Sequence, residues 1–202
     1  LLDEARMERN IARLRTRLDE AGVAFRPHLK TAKSWEVSRR LMASPRGPAT
    51  VSTLREAEDL AARGVTDITY AVGIAPQKLA RVQALRRRGV DLTVLLDSVA
   101  QARAVAAASD PADPIPALIE LDCDGHRSGV QPGDSQLLLA IAQALKPAAR
   151  LRGVLVHAGE SYEARGEEAL AAAAEGERAA AVEAARILRD AGWICPVVSV
   201  GS

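Results

Sequence analysis

A lysine two residues beyond a histidine, in "FRPHLKTAKS" (residues 25–34), is the first place where the sequence offers chemistry. An amine held in a partly dry setting has a depressed pKa, becomes nucleophilic and forms a Schiff base with a carbonyl. Other reactive types recur at the ends of short apolar runs. Ser52 and Thr53 follow "ATV", Tyr70 and Gly73 close "DITYAVG", and Asp97 follows "DLTVLL". Asp122, Asp124, His126 and Arg127 fall in "ELDCDGHRSG", His157 and Tyr162 in "HAGESY", and Gly201 and Ser202 in the closing "VGS". Each has a plain alternative: a loop cation for Lys30, hydrogen-bonded structural histidines for His126 and His157, and turn caps for Asp122 or Asp124.

The elements that must position these residues alternate regularly. "LLDEARMERNIARLRTRLDEAG" has helical apolar spacing with Gly22 as its stop, followed by a short strand "VAF". The sequence continues with helix "WEVSRRLMAS", strand "ATVST", helix "LREAEDLAARG", strand "DITYAV", helix "PQKLARVQALRRRG" and strand "VDLTVLL". Ser98 is placed to cap helix "SVAQARAVAAAS", which precedes strand "IPALIELD" and helix "SQLLLAIAQALK". Strand "LRGVLVHAG", a long alanine-rich helix from about Glu167 to Ala191, and strand "CPVVSVG" complete the pattern. This reading gives seven strands, each preceded by a helix.

Such alternation implies parallel pairing with right-handed crossovers. A doubly wound sheet would want a glycine-rich turn after its first strand, which "RPHLKTAK" lacks. The expected fold is therefore α/β, a TIM-like (β/α)8 barrel whose last βα unit would lie past Ser202. The C-terminal strand ends then form one rim. Closure of the barrel makes Lys30 and the "VGS" turn near neighbours. Backbone amides of that turn suit a phosphate, which favours pyridoxal phosphate over a plain Schiff-base aldolase.

Composition narrows the classes further. The 27 basic and 26 acidic residues leave a net charge of +1, and aromatics are 2%, which gives neither the field nor the stacking surface for nucleic acid. No apolar run approaches the length of a membrane span, and "LLDEARMERN" has no signal-peptide pattern, so a cytoplasmic protein is the default. Cys123 and Cys195 lie in no metal or redox spacing and read as buried free thiols. The chain opens without Met inside an amphipathic segment and stops as a strand finishes; both ends read as cut.

"RPHLKTAKS", "TLREAEDLAARGV", "IELDCDGHRSGV", "GVLVHAGESY" and "CPVVSVGS" together resemble the D-serine dehydratase and D-threonine aldolase group of alanine racemase-like pyridoxal phosphate enzymes. The resemblance covers residues 1–202 as one incomplete cofactor-binding barrel domain, with the family's C-terminal β domain absent. It implies that Lys30 carries the cofactor as a Schiff base and takes the α-proton of a D-amino acid. It places Arg127 against the phenolic oxygen of the cofactor ring and His157 and Tyr162 beside the cofactor. Gly201 and Ser202 would begin the phosphate-cradling turn. The divalent metal of the family, zinc or manganese, would have its ligands in the missing domain, so none is assigned here. Pairing as a homodimer is a further implication. Ala32 departs from the "KTHK" of many relatives, which leaves Thr31 and Lys33 without an assigned role.

The expected function is a lyase acting on a β-hydroxy D-amino acid, with D-serine dehydration first. Retro-aldol cleavage of D-threonine or a related amino acid is the alternative. A non-catalytic pyridoxal phosphate homeostasis protein is the alternative outside enzymology, and the expected fragment alone would be inactive.

Overall fold

A computed structural model describes residues 2–125 and 127–201, so the His126 and Ser202 expectations fall outside the described residues. Helix α1 (Glu4–Glu20) is opened by Asp3, whose carboxylate accepts from Arg6 N at 2.9 Å. Helix α2 (Trp35–Leu41) is followed by strand β1 (Ala49–Val51) and helix α3 (Leu54–Ala62). A reciprocal cap starts α3: Thr53 Oγ1 accepts from Glu56 N, while the Glu56 carboxylate accepts from Thr53 N. Strand β2 (Asp67–Gly73) leads to a 3-10 turn at Pro76–Lys78, then helix α4 (Leu79–Arg87) and strand β3 (Asp91–Leu96). Ser98 caps α5 (Val99–Ala108), as its sequence position implies, by accepting from Gln101 N. Strand β4 (Pro116–Leu121), helix α6 (Ser135–Leu145), strand β5 (Arg150–Val156), helix α7 (Glu167–Asp190) and strand β6 (Val197–Ser199) complete the order.

All six strands are parallel and pair in chain order, β1 through β6, as an open half-barrel with α3 to α7 in the crossovers. The side chains alternate as such a sheet demands. On β4, Ala117, Ile119 and Leu121 belong to the core beneath the helices, while Leu118 lines an inner cavity of about 40 Å³. On β5, Val154 and Val156 pack outward and Leu155 inward. The inner face is partly polar: Arg152 pairs with Asp91 at 2.9 Å and donates to Thr93 Oγ1 at 2.7 Å. Helix α7 meets the sheet through Ala181, Ala184 and Ala185, all fully buried, and their small side chains let the helix axis lie close.

The structure departs from the seven-strand reading at its start. "VAF" forms no strand; Val23 is 52% exposed. The chain meets β1 later, at residues 27–29, where Thr50 N donates to Pro27 O at 2.8 Å and Leu29 N donates to Thr50 O at 2.9 Å. Only His28 and Thr50 form a bridge there, because Pro27 has no N–H with which to extend the ladder. Tyr70 also corrects the rim reading. It is completely buried in the outer core, with its hydroxyl accepting from Lys78 Nζ at 2.8 Å. Cys195 is buried and free, but Cys123 is only half-buried.

One close approach fixes the last pairing. Gly153 (φ 151°) lies opposite Val197, and a Cβ built on it would stand 1.9 Å from Val197 O. Residues with side chains cannot occupy that position without prising β5 from β6.

Candidate active site

Lys30 follows the His28 bridge in a turn at the free edge of the half-barrel. Its backbone N–H donates to His28 Nδ1 at 3.3 Å, and His28 Nε2 faces Ser52 Oγ at 3.4 Å. Acceptance at Nδ1 puts the ring proton on Nε2, so a neutral His28 bridges the lysine turn to the end of β1. Burial, then the Lys30 and His157 charges, hold its pKa below 6.5 against the opposing pull of Glu56. Glu56 in turn accepts from Ser52 N at 2.9 Å, so the α3 cap and the lysine turn share one network. The turn ends at Lys33, the one non-glycine described residue with positive φ, 45°. Such a conformation is uncommon for a side-chain-bearing residue and persists where surroundings enforce it.

Arg127 comes from the loop after β4, which Asp122 builds. The buried Asp122 carboxylate accepts from Gly125 N at 2.9 Å, Arg127 N at 3.4 Å and Gln131 Nε2 at 3.2 Å. The turn-cap reading of Asp122 thus describes its observed contacts. Leu121 and Val130 then bridge, closing the loop back onto β4. The Arg127 side chain lies flat on Gly159: a Cβ there would meet its Nε at 2.1 Å and its Cδ and Cζ at 3.0 Å. Its Nη2 sits 3.2 Å from His157 Nε2.

His157 follows β5 on the same face as Leu155, which turns it toward the mouth. Burial, then Arg127 and Lys30, lower its pKa, so the ring is neutral at pH 7 and can accept from the guanidinium. The Gly201 backbone faces the ring from the other side and favours its protonated form. Tyr162 stands edge-on to His157 at 5.9 Å between centroids and is 56% exposed. Behind them, Glu177 reaches in from α7: its Oε1 accepts from Ala158 N at 3.1 Å and Gly201 N at 3.3 Å. This buried carboxylate ties the end of β5 to the turn after β6. Glu177→Leu should cost about 1–3 kcal/mol by leaving both amides unpaired, which urea denaturation would measure.

The structure therefore brings His28, Lys30, Arg127, His157 and Gly201 to one mouth, with Tyr162 at its border. Two expectations change. Lys30 is exposed rather than held in a dry setting, because it lies on the outermost segment of the sheet. The Gly201 N–H is taken by Glu177, so that amide does not point to a phosphate. The inner cavity lies below this rim, and a larger groove of about 470 Å³ between α2 and α3 includes Lys33 and Glu56; neither is lined by Lys30, Arg127 or His157. Sequence reasoning put His28 beside Lys30 at the rim without a role and missed Gly159 and Glu177 as parts of the site. Only His28 carried a signal, its spacing of two from Lys30, which places both on one face of an extended segment.

The fold agrees with what is found in known proteins. Residues 2–202 match the family described as "Alanine racemase, N-terminal domain". The chain belongs to this family. It is 52% identical, over its whole length, to D-threo-3-hydroxyaspartate dehydratase from Delftia sp., of which it covers 54%. The solved structure of that enzyme superposes with a TM-score of 0.95 over 99% of this chain and 53% of the other. A variant of that dehydratase has also been solved in the metal-free form. D-threonine aldolase from Arthrobacter sp. is 30% identical over the whole chain and 53% of its own length. D-threonine aldolase from Filomicrobium marinum, 27% identical, superposes with a TM-score of 0.83 over 100% of this chain and 55% of its own. The chain spans about half the length of the curated relatives it matches. No helix among the described residues is long and apolar enough to cross a membrane.

Proposed function

We propose that this chain is the barrel half of a pyridoxal phosphate-dependent lyase that dehydrates a 3-hydroxy D-amino acid. The observation that carries the reading is the convergence of one amine, one guanidinium and two neutral histidines on a single mouth. Lys30 and Arg127 both lower the His157 pKa, with Glu177 opposing them, so the mouth carries two cations that suit an anionic aldehyde. The donor set fits the cofactor: an amine to bind its aldehyde, and a fixed cation beside an imidazole to face its anionic groups. When bound, pyridoxal phosphate supplies an electron sink for the pair left at the substrate Cα.

The residues of this chain have separable tasks. Lys30 would hold the cofactor through its aldehyde, and its free amine would take the Cα proton. Arg127 presents positive charge, held in place by Gly159 and His157. His157 stays neutral and accepts from Arg127, and Tyr162 covers its edge against water. The family's divalent cation, zinc or manganese, belongs in this reading to residues outside this chain. Among the described residues no group of three or more His, Cys, Asp or Glu is arranged to hold a metal.

Curated relatives named for serine, threonine and 3-hydroxyaspartate share a hydroxyl on the carbon next to Cα and the D configuration. The 52% identity to a dehydratase favours elimination, with a 3-hydroxy dicarboxylic acid ahead of D-serine as substrate. The test supplies the full-length protein with D-threo-3-hydroxyaspartate, D-serine and D-threonine. Elimination releases ammonia with an equal amount of 2-oxo acid. Glycine accumulating with an aldehyde product would mean retro-aldol cleavage instead.

Gly159→Ala checks the arrangement of Arg127. The added methyl evicts the guanidinium, so the absorption spectrum of bound cofactor should shift to match that of Arg127→Leu, with little change in unfolding midpoint. A parental spectrum for Gly159→Ala would show that Arg127 does not act from above Gly159.

A further inference from the structure

The inner end of β4 holds a carboxyl that the proposed reaction leaves unused. Leu118 lines the inner cavity and its neighbours pack outward, so Glu120 faces inward one layer nearer the rim. Its Oε2 is buried with no hydrogen-bond partner among the described residues. The Ser128 side chain lies near enough to favour the ionised carboxyl, and the loop returns over it, Val130 N donating to Glu120 O at 2.8 Å.

The charges around it are uneven. Asp97, just past β3, and Asp122, just past β4, are negative; Arg127 is the positive group acting on it among the described residues. Among the described residues Asp122 has three donors for its carboxylate, whereas Glu120 has an oxygen without one. A buried, incompletely bonded carboxylate beside two others is costly, and the neutral acid avoids that cost. Burial chiefly, helped by Asp97 and Asp122 and opposed by Ser128 and Arg127, raises the Glu120 pKa to about 7.

We propose that Glu120 is a positioning residue whose own charge sets how Arg127 is held at the cofactor site. With the carboxyl neutral, the guanidinium rests on Gly159 and His157. With the proton lost, the carboxylate attracts Arg127 inward toward β4 and away from the mouth. The inference rests on the cofactor reading above, and its test separates the two.

The protein loaded with pyridoxal phosphate is compared with Glu120→Gln, which keeps the shape and removes the titration. The absorption of the bound cofactor is followed across the neutral range. The parent should show a transition centred near pH 7 that Glu120→Gln lacks, its spectrum staying in the low-pH form of the parent. A second readout needs no cofactor. The folded state keeps a proton that the unfolded chain gives up above its ordinary value of 4.5, so the parent should lose stability relative to Glu120→Gln as pH rises from 4.5 to about 7. Arg127→Leu, an exposed position, serves if Glu120→Gln fails to fold: the spectral transition should vanish while the pH-dependent stability remains. Borohydride labelling of Lys30 accompanies each sample. An unlabelled Lys30 in the parent would overturn the cofactor reading and this inference together. A labelled parent whose pH transition persists in either variant would overturn this inference alone.

Discussion

Lys30→Ala in the full-length protein should reduce turnover by about 10³-fold or more, because in the proposed mechanism one substitution removes both the group that binds the aldehyde and the base for the Cα proton. The same substitution leaves the fold intact. Lys30 is exposed, and the hydrogen bond that shapes its turn comes from its backbone N–H to His28 Nδ1, which alanine keeps. Its stability should stay within about 0.5 kcal/mol of the parent, as for ordinary surface changes. Lys30→Arg is the sharper companion, since it preserves the charge that acts on His28 and His157 but cannot form the imine. Steady-state ammonia release and thermal unfolding on both variants check the pair. Turnover retained by either would remove Lys30 from the chemistry.

Gly153→Ala has the largest expected effect on stability. The Cβ would stand 1.9 Å from Val197 O and 2.7 Å from Val197 C, which are backbone atoms of the paired strand and cannot swing aside as a side chain does. The φ of 151° adds strain for any residue with a Cβ. Together these should cost about 4 kcal/mol or more, at the far end of single-substitution effects, with loss of the β5–β6 pairing. Because β6 carries Gly201 to the His157 ring, the site should loosen with the strand. Gly176→Ala is the control: it lies within α7 with nothing inside 4 Å of the added carbon. It should stabilise the protein by about 1 kcal/mol, since alanine favours helix over glycine. Urea midpoints for both variants decide the contrast, and equal effects would mean that the Gly153 approach is not tight.

Much of the scaffold was legible because parallel strands covered by helices are continuous apolar runs, and because Ser98 marks a helix start by a local rule. "VAF" misled for the same reason that "DITYAV" did not: both are β-like, but pairing depends on what lies alongside, and Pro27 limits the first segment to a single bridge. Tyr70 misled through parity. It closes an apolar run, yet it points to the helices rather than the mouth. Glu177 was invisible because α7 is alanine-rich with scattered glutamates, and only packing reveals which one faces Ala158 and Gly201. Glu120 did carry a signal, since Leu118 and Glu120 alternate along β4, but the burial and the Asp97 charge that alter its chemistry come from other segments.

The histidines give the mouth an acid-side limit. His28 and His157 both have pKa values below 6.5, so the unfolded chain takes up protons first as pH falls through that value. Their burial therefore weakens the fold progressively from pH 6.5 downward, until the folded rings also protonate.

The central claim is that Lys30 holds an aldehyde cofactor in a mouth shared with Arg127 and His157. The most direct measurement incubates the protein with pyridoxal phosphate, reduces it with borohydride, and maps the modified peptide by mass spectrometry. The account predicts a label confined to Lys30, with Lys33 and Lys78 unmodified. A folded protein that takes up no label, or takes it at Lys33, would contradict it.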